Sequence, residues 1–267
     1  MKPISKTAFY CCGVRMEDAA SANPVCNDTY AQVFMNNEGL AMLAAFKNET
    51  RPNASNVARH RIIDDLLQHE LDTDSDRLIV LIGAGFDSRA FRLKGGSWVE
   101  LDEPQVISYK NERLPSEKSP NELQRIPIDF SSESVEDKLA RFSNRSAVIV
   151  IEGVFMYLEE QNIDRLLQTL GKLFPKHKLI CDLMTREFFE NSGKTISEKI
   201  TGMGAPFKFT PDNPEELFLR AGYELNDKIC IIEKSVVFQM PNIPATVLDG
   251  IRSSLPTGYS IYAFEKK

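Results

Sequence analysis

The 267-residue sequence is poor in several things that would define a function at once. It has one tryptophan, three histidines and five cysteines, and the cysteines (Cys11, Cys12, Cys26, Cys181, Cys230) form no C-x-x-C pair. An odd number without that spacing argues against a disulfide framework and a zinc site, and fits a reducing cytoplasm. The histidines (His60, His69, His177) have no metal-ligand spacing, so no metal is expected. No apolar run approaches the ~20 residues of a membrane span, and the opening MKPISKTAFYCCGVRMEDAA contains no segment of signal-peptide type. Basic excess is missing too: 32 Lys and Arg against 38 Asp and Glu leave a net charge of −6, with no basic patch for nucleic acid. Repeats and low-complexity linkers are absent. The expectation is a soluble cytoplasmic protein whose partners are neither nucleic acid nor membrane. Nothing in the chain indicates an oligomeric state.

What is present is an ordinary globular composition, with 42% hydrophobic and 26% charged residues, enough for a sizeable core. Apolar periodicity predicts a helix from Asp28 to about Phe46, which Gly39 could divide, and a second from Val57 to Leu71. Between them Arg51–Asn56 reads as a loop, with Ser55 or Asn56 as the N-cap. Strand-like runs follow at Arg77–Ile82, Ser97–Leu101, Gln124–Ile128, Ala147–Ile151 and Lys178–Leu183. Helical patterns alternate with them, most clearly over Glu159–Phe174, where Ile163, Leu166, Leu167 and Leu170 keep one face, and again over Ser134–Phe142. That alternation predicts a parallel sheet with helices on both faces.

The last third changes character. Thr195–Pro214 is rich in glycine, proline and threonine and reads as a loop or lid. A short helix (Pro214–Gly222), a strand (Lys228–Phe238), a proline-bounded helical piece and a final strand (Tyr259–Lys267) complete the chain. Two closing strands without a long helix between them predict an antiparallel addition at the sheet edge. The whole is expected to form one domain, with residues 1–75 as a helical cap, 76–267 as the sheet core and a lid at about 185–213.

The most informative stretch is LIVLIGAGFDSRAFRL, Leu78 to Leu93. A strand ending in Gly83-Ala84-Gly85 can turn sharply and let a ligand approach where a Cβ would collide. In an open parallel sheet, ligands bind at this carboxyl edge. The full dinucleotide fingerprint needs a third glycine near position 88, where this chain has Ser88, which disfavours a nicotinamide oxidoreductase. Acids end the next strands: Asp102 in WVELDEP, Asp129 in RIPIDF and Glu152 in IEGVFMYL. Any one of them is explained by a strand end meeting solvent. Together with the glycines they line a single edge, and a carboxylate after the second strand is spaced to meet ribose hydroxyls. Arg59 lies on the apolar stripe of its helix, one turn before Ile62 and Ile63, where an arginine snorkels or answers a buried anion.

LIGAGFDSRAFRL, VELDEP and IEGVFMYLEEQNIDRLL, in that order, resemble the leucine carboxyl methyltransferase family of class I S-adenosyl-L-methionine-dependent methyltransferases. VRMEDA…NDTYAQVF and GAPFKF…LFLRAGYEL extend the resemblance over almost the whole chain. It implies a Rossmann-like, seven-stranded, mostly parallel sheet with an antiparallel last strand. It also implies S-adenosyl-L-methionine as cofactor, with Gly83, Ala84 and Gly85 against its methionine part, Asp102 on its ribose, Asp129 and Phe130 near its adenine, and Glu152 and Gly153 under its amino end. Arg59 and, in a looser alignment, Arg15 fall where basic residues meet the cofactor carboxylate. Arg89 at the mouth of the site and Tyr157 in the acceptor pocket are candidates for the acceptor side, whereas Arg92 is expected to brace the structure through an ion pair.

The implied chemistry is methyl transfer to an oxygen. A carboxylate, with a reference pKa of about 4, needs no general base, and no convincing base or metal cluster is visible. The expected acceptor is therefore a small-molecule carboxylic acid. A protein's C-terminal leucine, a phenol or other hydroxyl served by a base such as His60, and a non-catalytic cofactor-binding role are the alternatives.

Overall fold

Each apolar run becomes a strand because breakers flank it and a helix follows that can bury its own stripe against the sheet. The computed structural model describes residues 1–240, 247, 249–250 and 255–267. Its strands are β1 (Leu78–Ile82), β2 (Ser97–Asp102), β3 (Glu122–Pro127), β4 (Ala147–Ile151), β5 (His177–Met184), β6 (Tyr223–Cys230) and β7 (Tyr259–Lys266). They form one sheet of order β3-β2-β1-β4-β5-β7-β6, parallel from β3 to β5. β7 runs antiparallel to both β5 and β6, as the closing segments predict. Strand order reverses between β1 and β4, which is the switch point where an open α/β sheet holds its ligand.

Four helices precede the sheet: α1 (Pro3–Ala19), α2 (Ala31–Phe34), α3 (Asn37–Ala45) and α4 (Thr50–Thr73). α5 (Arg89–Arg92), α6 (Pro104–Arg113), α7 (Val135–Leu139) and α8 (Glu160–Leu173) link the first five strands. β1 shows why two layers result. Its Ile79 and Leu81 join a core with Ile63 and Leu67 of α4, while Leu78, Val80 and Ile82 join another with Ile163 and Leu167 of α8. Alternate residues of a strand face opposite sides, so one strand serves both cores. Among the described residues no helix is long and apolar enough to cross a membrane.

Several local expectations are corrected. Residues 51–56 are the first turns of α4, not a loop. Pro52 is tolerated there because first-turn N–H groups have no partner within the helix. Ser55 donates back to the Arg51 carbonyl and Asn56 is buried, so neither is a cap. The Asp28–Phe46 helix is split at Met35–Asn36, where the Asn36 side chain caps α3 by accepting the Gly39 N–H. Gly39 itself packs so closely on Phe9 that a Cβ would lie 2.7 Å from its ring.

The expected 195–214 loop is helical in its first half. α9 (Arg186–Phe188), a π-turn (Phe189–Gly193) and α10 (Lys194–Gly202) precede an extended stretch, because the breakers Gly202, Gly204, Pro206 and Pro211 all come late. α11 (Glu216–Arg220) is the expected short helix. The strand expected at Lys228–Phe238 ends at Cys230 and continues as α12 (Ile231–Gln239). Cys230 lies opposite Ser260, one residue from the start of β7, so the ladder offers no further partner. The proline-bounded helical piece before β7 falls largely outside the described residues.

β2 and β3 are tied to α6 by a buried triad. Lys110 Nζ lies 2.7 Å and Arg125 Nε 2.9 Å from the same oxygen of Glu100, whose side chain is fully buried. Glu100 is the one anion shared by two cations, so its removal leaves buried charge uncompensated, at a cost of about 3–5 kcal/mol. Glu100→Gln should therefore lower stability by about 3 kcal/mol or more in urea denaturation at pH 7, far beyond the loss of one surface charge.

Candidate functional site

A cavity of about 1010 Å³ opens over the carboxyl ends of β1, β2 and β4. Its floor is the turn after β1. Gly83 and Gly85 have φ of +71° and +47°, and a Cβ at Gly83 would lie 2.5 Å from Val154 Cγ2. Only glycine takes this path without strain. α1 roofs the cavity, and its Ala8 methyl lies 3.3 Å from where a Cβ on Gly85 would be.

Asp102, at the end of β2, is the main polar group of one wall. Its carboxylate accepts the Gly85 N–H at 2.6 Å and the Glu103 N–H at 2.7 Å. It is only 6% exposed, and among the described residues no cation forms an ion pair with it. Burial pushes its pKa up to about 6, although the two N–H donors pull the other way. A buried carboxylate with spare acceptor capacity and no cation is a site for hydroxyl donors.

The other wall rests on a buried ionic network. Four arginines (Arg15, Arg59, Arg89, Arg92) interlock with five carboxylates (Asp28, Asp64, Asp87, Glu152, Asp182). Arg89 is its hub. The side chain is fully buried, and its guanidinium reaches Asp64, Asp87 and Glu152 and the carbonyl of His60. Burial opposes the charge of Glu152, but the Arg89 and Arg59 guanidinium groups outweigh it and hold this carboxyl well below its usual range. Ser88, standing where a dinucleotide fingerprint has glycine, donates to Asp28 at 2.5 Å and accepts from Arg92 at 3.0 Å.

Arg59 is held from several sides. Nε donates to Glu152 at 3.0 Å, Nη1 to the Tyr259 hydroxyl at 2.8 Å and to Asp182 at 3.3 Å, and Nη2 to Asn56 at 3.2 Å. The remaining Nη2 contact, to the Cys11 thiol, is long at 3.8 Å. Cys11 lines the cavity, so this weakly used donor is the one available to an anion there.

The structure brings Arg15, Arg59, Gly83, Ala84, Gly85, Arg89, Asp102, Phe130, Glu152, Gly153 and Tyr157 to the lining of this one cavity. Two placements differ from expectation. Arg89 lines the cavity from its floor and not at the mouth, because its α5 position aims the guanidinium at Asp64 of α4 and at Glu152, just after β4. The Asp129 carboxylate sits at the rim, taken by Lys2 at 2.8 Å and by the Ser131 N–H and hydroxyl at 3.1 and 2.6 Å. Arg92 braces the structure through Asp64 at 2.7 Å, as expected.

Three contributors escaped the sequence reading. Asp182 could have been found, since it follows Cys181, the partner of Ile151, and so lies level with Glu152. Tyr259 could have been found from the antiparallel direction of β7, which brings the start of that strand to the same edge. Lys2, bridging Glu103 and Asp129, left no signal.

His60, Asp87 and Glu152 are close enough to share a metal ion, but the Arg89 guanidinium already lies between these acids. Each ring nitrogen of His60 faces a guanidinium at 2.7 Å, Nδ1 toward Arg89 and Nε2 toward Arg92. Glu152 lies 3.4 Å from Nδ1, whereas Asp64 is 3.9 Å from Nε2. A neutral imidazole has one acceptor nitrogen, so only one of these two guanidinium groups donates to the ring.

Comparison with known proteins identifies the fold as that of the class I S-adenosyl-L-methionine-dependent methyltransferases. A DUF574 family protein of Streptomyces avermitilis superposes with a TM-score of 0.61 at 14% identity, over 94% of this chain and 99% of that one. Magnesium protoporphyrin IX methyltransferase of Synechocystis, solved with bound S-adenosylhomocysteine, gives 0.52 at 12% identity, over 92% and 96%. The sequence profile of the leucine carboxyl methyltransferase family matches residues 11–171, and the chain belongs to that family. A candidate S-adenosyl-L-methionine-dependent methyltransferase of Streptomyces coelicolor is 32% identical over 123 residues, 43% of each chain. A second, from Streptomyces avermitilis, is 30% identical over 62% of this chain and 63% of its own length, so the chain spans about half the length of these two relatives. The tetracenomycin polyketide synthesis O-methyltransferase of Streptomyces glaucescens is 24% identical over 73% of this chain and 71% of that one.

Burial, then the Arg89 charge, lowers the His60 pKa below its usual value. His60 should accordingly be less protonated at pH 6.5 than a free imidazole, which is half protonated there. Ring nitrogen-15 spectra should place its titration midpoint below that of a free imidazole. A midpoint at or above the free-imidazole value would contradict this arrangement.

Proposed function

We propose that this chain is an S-adenosyl-L-methionine-dependent O-methyltransferase that forms a methyl ester on a small-molecule carboxylic acid, with residues 1–75 capping a core of 76–267. The observation that carries the cofactor reading is Asp102, a buried carboxylate that faces the cavity without a cation. Ribose hydroxyls would supply the donors it lacks. The positive-φ turn at Gly83–Gly85 leaves room for the methionine portion, and the weakly used Nη2 of Arg59 fits its carboxylate. Phe130, Val135 and Leu166, which line the far end, would flank the adenine. Family membership supports the same cofactor.

The bound cofactor supplies a methyl group already activated by its sulfonium. The chain's own contribution is to orient the two partners and exclude water, and alignment alone is worth up to roughly 7–11 kcal/mol in favourable systems. The acceptor reading rests on the absence of a suitable base from the described lining. His60 is sealed beneath the floor with both nitrogens engaged, and burial raises the Tyr157 hydroxyl above its usual pKa, which keeps it protonated. An acceptor that arrives ionised avoids this difficulty, and a carboxylate does so at neutral pH.

Two measurements test the proposal. Calorimetry with S-adenosylhomocysteine should give about tenfold weaker binding at pH 5 than at pH 7, because a carboxyl titrating near 6 is ionised at pH 7 and mostly protonated at pH 5. Asp102→Asn should bind weakly at both values. A pH-independent wild-type affinity would remove Asp102 from the ribose role.

With radiolabelled cofactor and a small-molecule extract, the labelled product should release volatile methanol in mild base, as esters do and ethers do not. For a purified acceptor, kcat/KM should be flat from pH 7 to 8.5. A tenfold rise per pH unit would indicate a phenol.

A further inference from the structure

The last strand of the sheet brings a polar device to the site that neither the glycine turn nor the strand-end acids require. Asp182, on β5, is fully buried on its side chain and accepts three hydrogen bonds from three different elements. The Gly153 N–H donates to it at 2.6 Å, the Tyr259 hydroxyl at 2.8 Å and Arg59 Nη1 at 3.3 Å. Tyr259, the first residue of β7, in turn accepts from Arg59 Nη1 at 2.8 Å. One guanidinium nitrogen is thus fixed by a closed triangle of Arg59, Tyr259 and Asp182. The same carboxylate fixes the backbone of Gly153, whose added Cβ would stand 3.4 Å from Arg59 Nη2.

We infer that Asp182 and Tyr259 are positioning residues that hold Arg59 so that its Nη2 edge meets the carboxylate of the cofactor's amino-acid end. The inference rests on the proposed cofactor and adds what aims the arginine. An unrestrained arginine side chain has about 2 kcal/mol of rotamer freedom, which must be lost before it can bind in one geometry. Here the guanidinium plane is set in advance. Nε is held by Glu152 and Nη1 by the Tyr259–Asp182 pair, leaving Nη2 toward Cys11 and the cavity. Preorganisation of this kind increases affinity without a new ligand contact. Neither residue lines the cavity, so neither touches the ligand. The register makes the arrangement possible: Met184 pairs with Tyr259 and Asp182 with Ile261, so the start of β7 meets the end of β5 at the ligand edge.

The test compares two ligands that differ at the end Arg59 would hold. S-adenosylhomocysteine carries the amino-acid carboxylate, whereas 5′-methylthioadenosine has the same nucleoside and thioether without it. Tyr259→Phe keeps the ring packed against Phe188 and removes only the hydroxyl. It should weaken S-adenosylhomocysteine by about three- to tenfold, the range of one hydrogen bond, and leave methylthioadenosine within twofold. Asp182→Asn, which keeps the shape and loses the charge, should show the same split with a larger loss. Tyr259→Phe is the milder variant and secures the result if Asp182→Asn does not fold. Equal weakening of both ligands, or no change in either, would assign the two residues a structural role and overturn the inference. A wild-type protein that binds methylthioadenosine but gains nothing from the amino-acid end would also overturn it. Binding of neither ligand would reject the cofactor reading itself, and the inference with it.

Discussion

The arrangement of this site depends on the ion pairing of Arg89 with Glu152, Asp87 and Asp64 under the carboxyl edge of the sheet. Isolated charges cannot be buried at this depth, and a pair survives there only when further hydrogen bonds satisfy the remaining donors and acceptors. The network meets that condition by drawing on many elements. Asp64 comes from α4, Glu152 from the end of β4, Asp87 from the turn after β1 and Asp28 from the segment before α2. Locking their charges together fixes where the cap sits on the sheet, and with it the height of the cavity. A buried network of this kind is weak evidence for stability but strong evidence for a defined geometry, since few other packings would satisfy the same set of charges.

The network and the cavity divide the charged residues between them. Arg89, Arg92 and His60 spend their hydrogen-bonding capacity on the protein, whereas Asp102 and one edge of Arg59 keep some in reserve. This division leaves most of the site's charged groups, among the described residues, neutralised by one another. Its charges serve to hold and orient, the role that the proposed transfer of an activated methyl group requires. Ser88 belongs to the same logic. Where a dinucleotide-binding turn would use glycine for close packing, this chain uses a hydroxyl to join Asp28 to Arg92, and the turn becomes part of the network.

The antiparallel β7 contributes more than an extra strand. A parallel strand in that place would bring its carboxyl end to the ligand edge. Reversal brings its first residue there instead, and Tyr259 enters the site from the far end of the chain. Thus the cap's α4, the sheet's β5 and the closing strand meet at Arg59.

Much of this was legible in the sequence. The five parallel strands are predicted within one or two residues of their observed ends. Burial on both faces makes β1 and β4 continuous apolar runs, whereas the edge strand β3 is half-exposed and mixed in character. The glycine turn and Asp102 could be read because backbone sterics and strand direction dictate them locally. Local pattern failed where partners decide. Ile231–Phe238 is as β-branched as a strand but becomes helix, since β7 offers no ladder beyond Ser260. Arg89 looked like a residue of the mouth and proved to be the hub in the floor, and Asp129 looked free but is taken by Lys2. The sequence by itself determined which side chains carry charge and which strand ends deliver them to one edge. Only the tertiary structure decided which charges neutralise one another and which remain for a ligand, because that depends on distances between segments far apart in the chain.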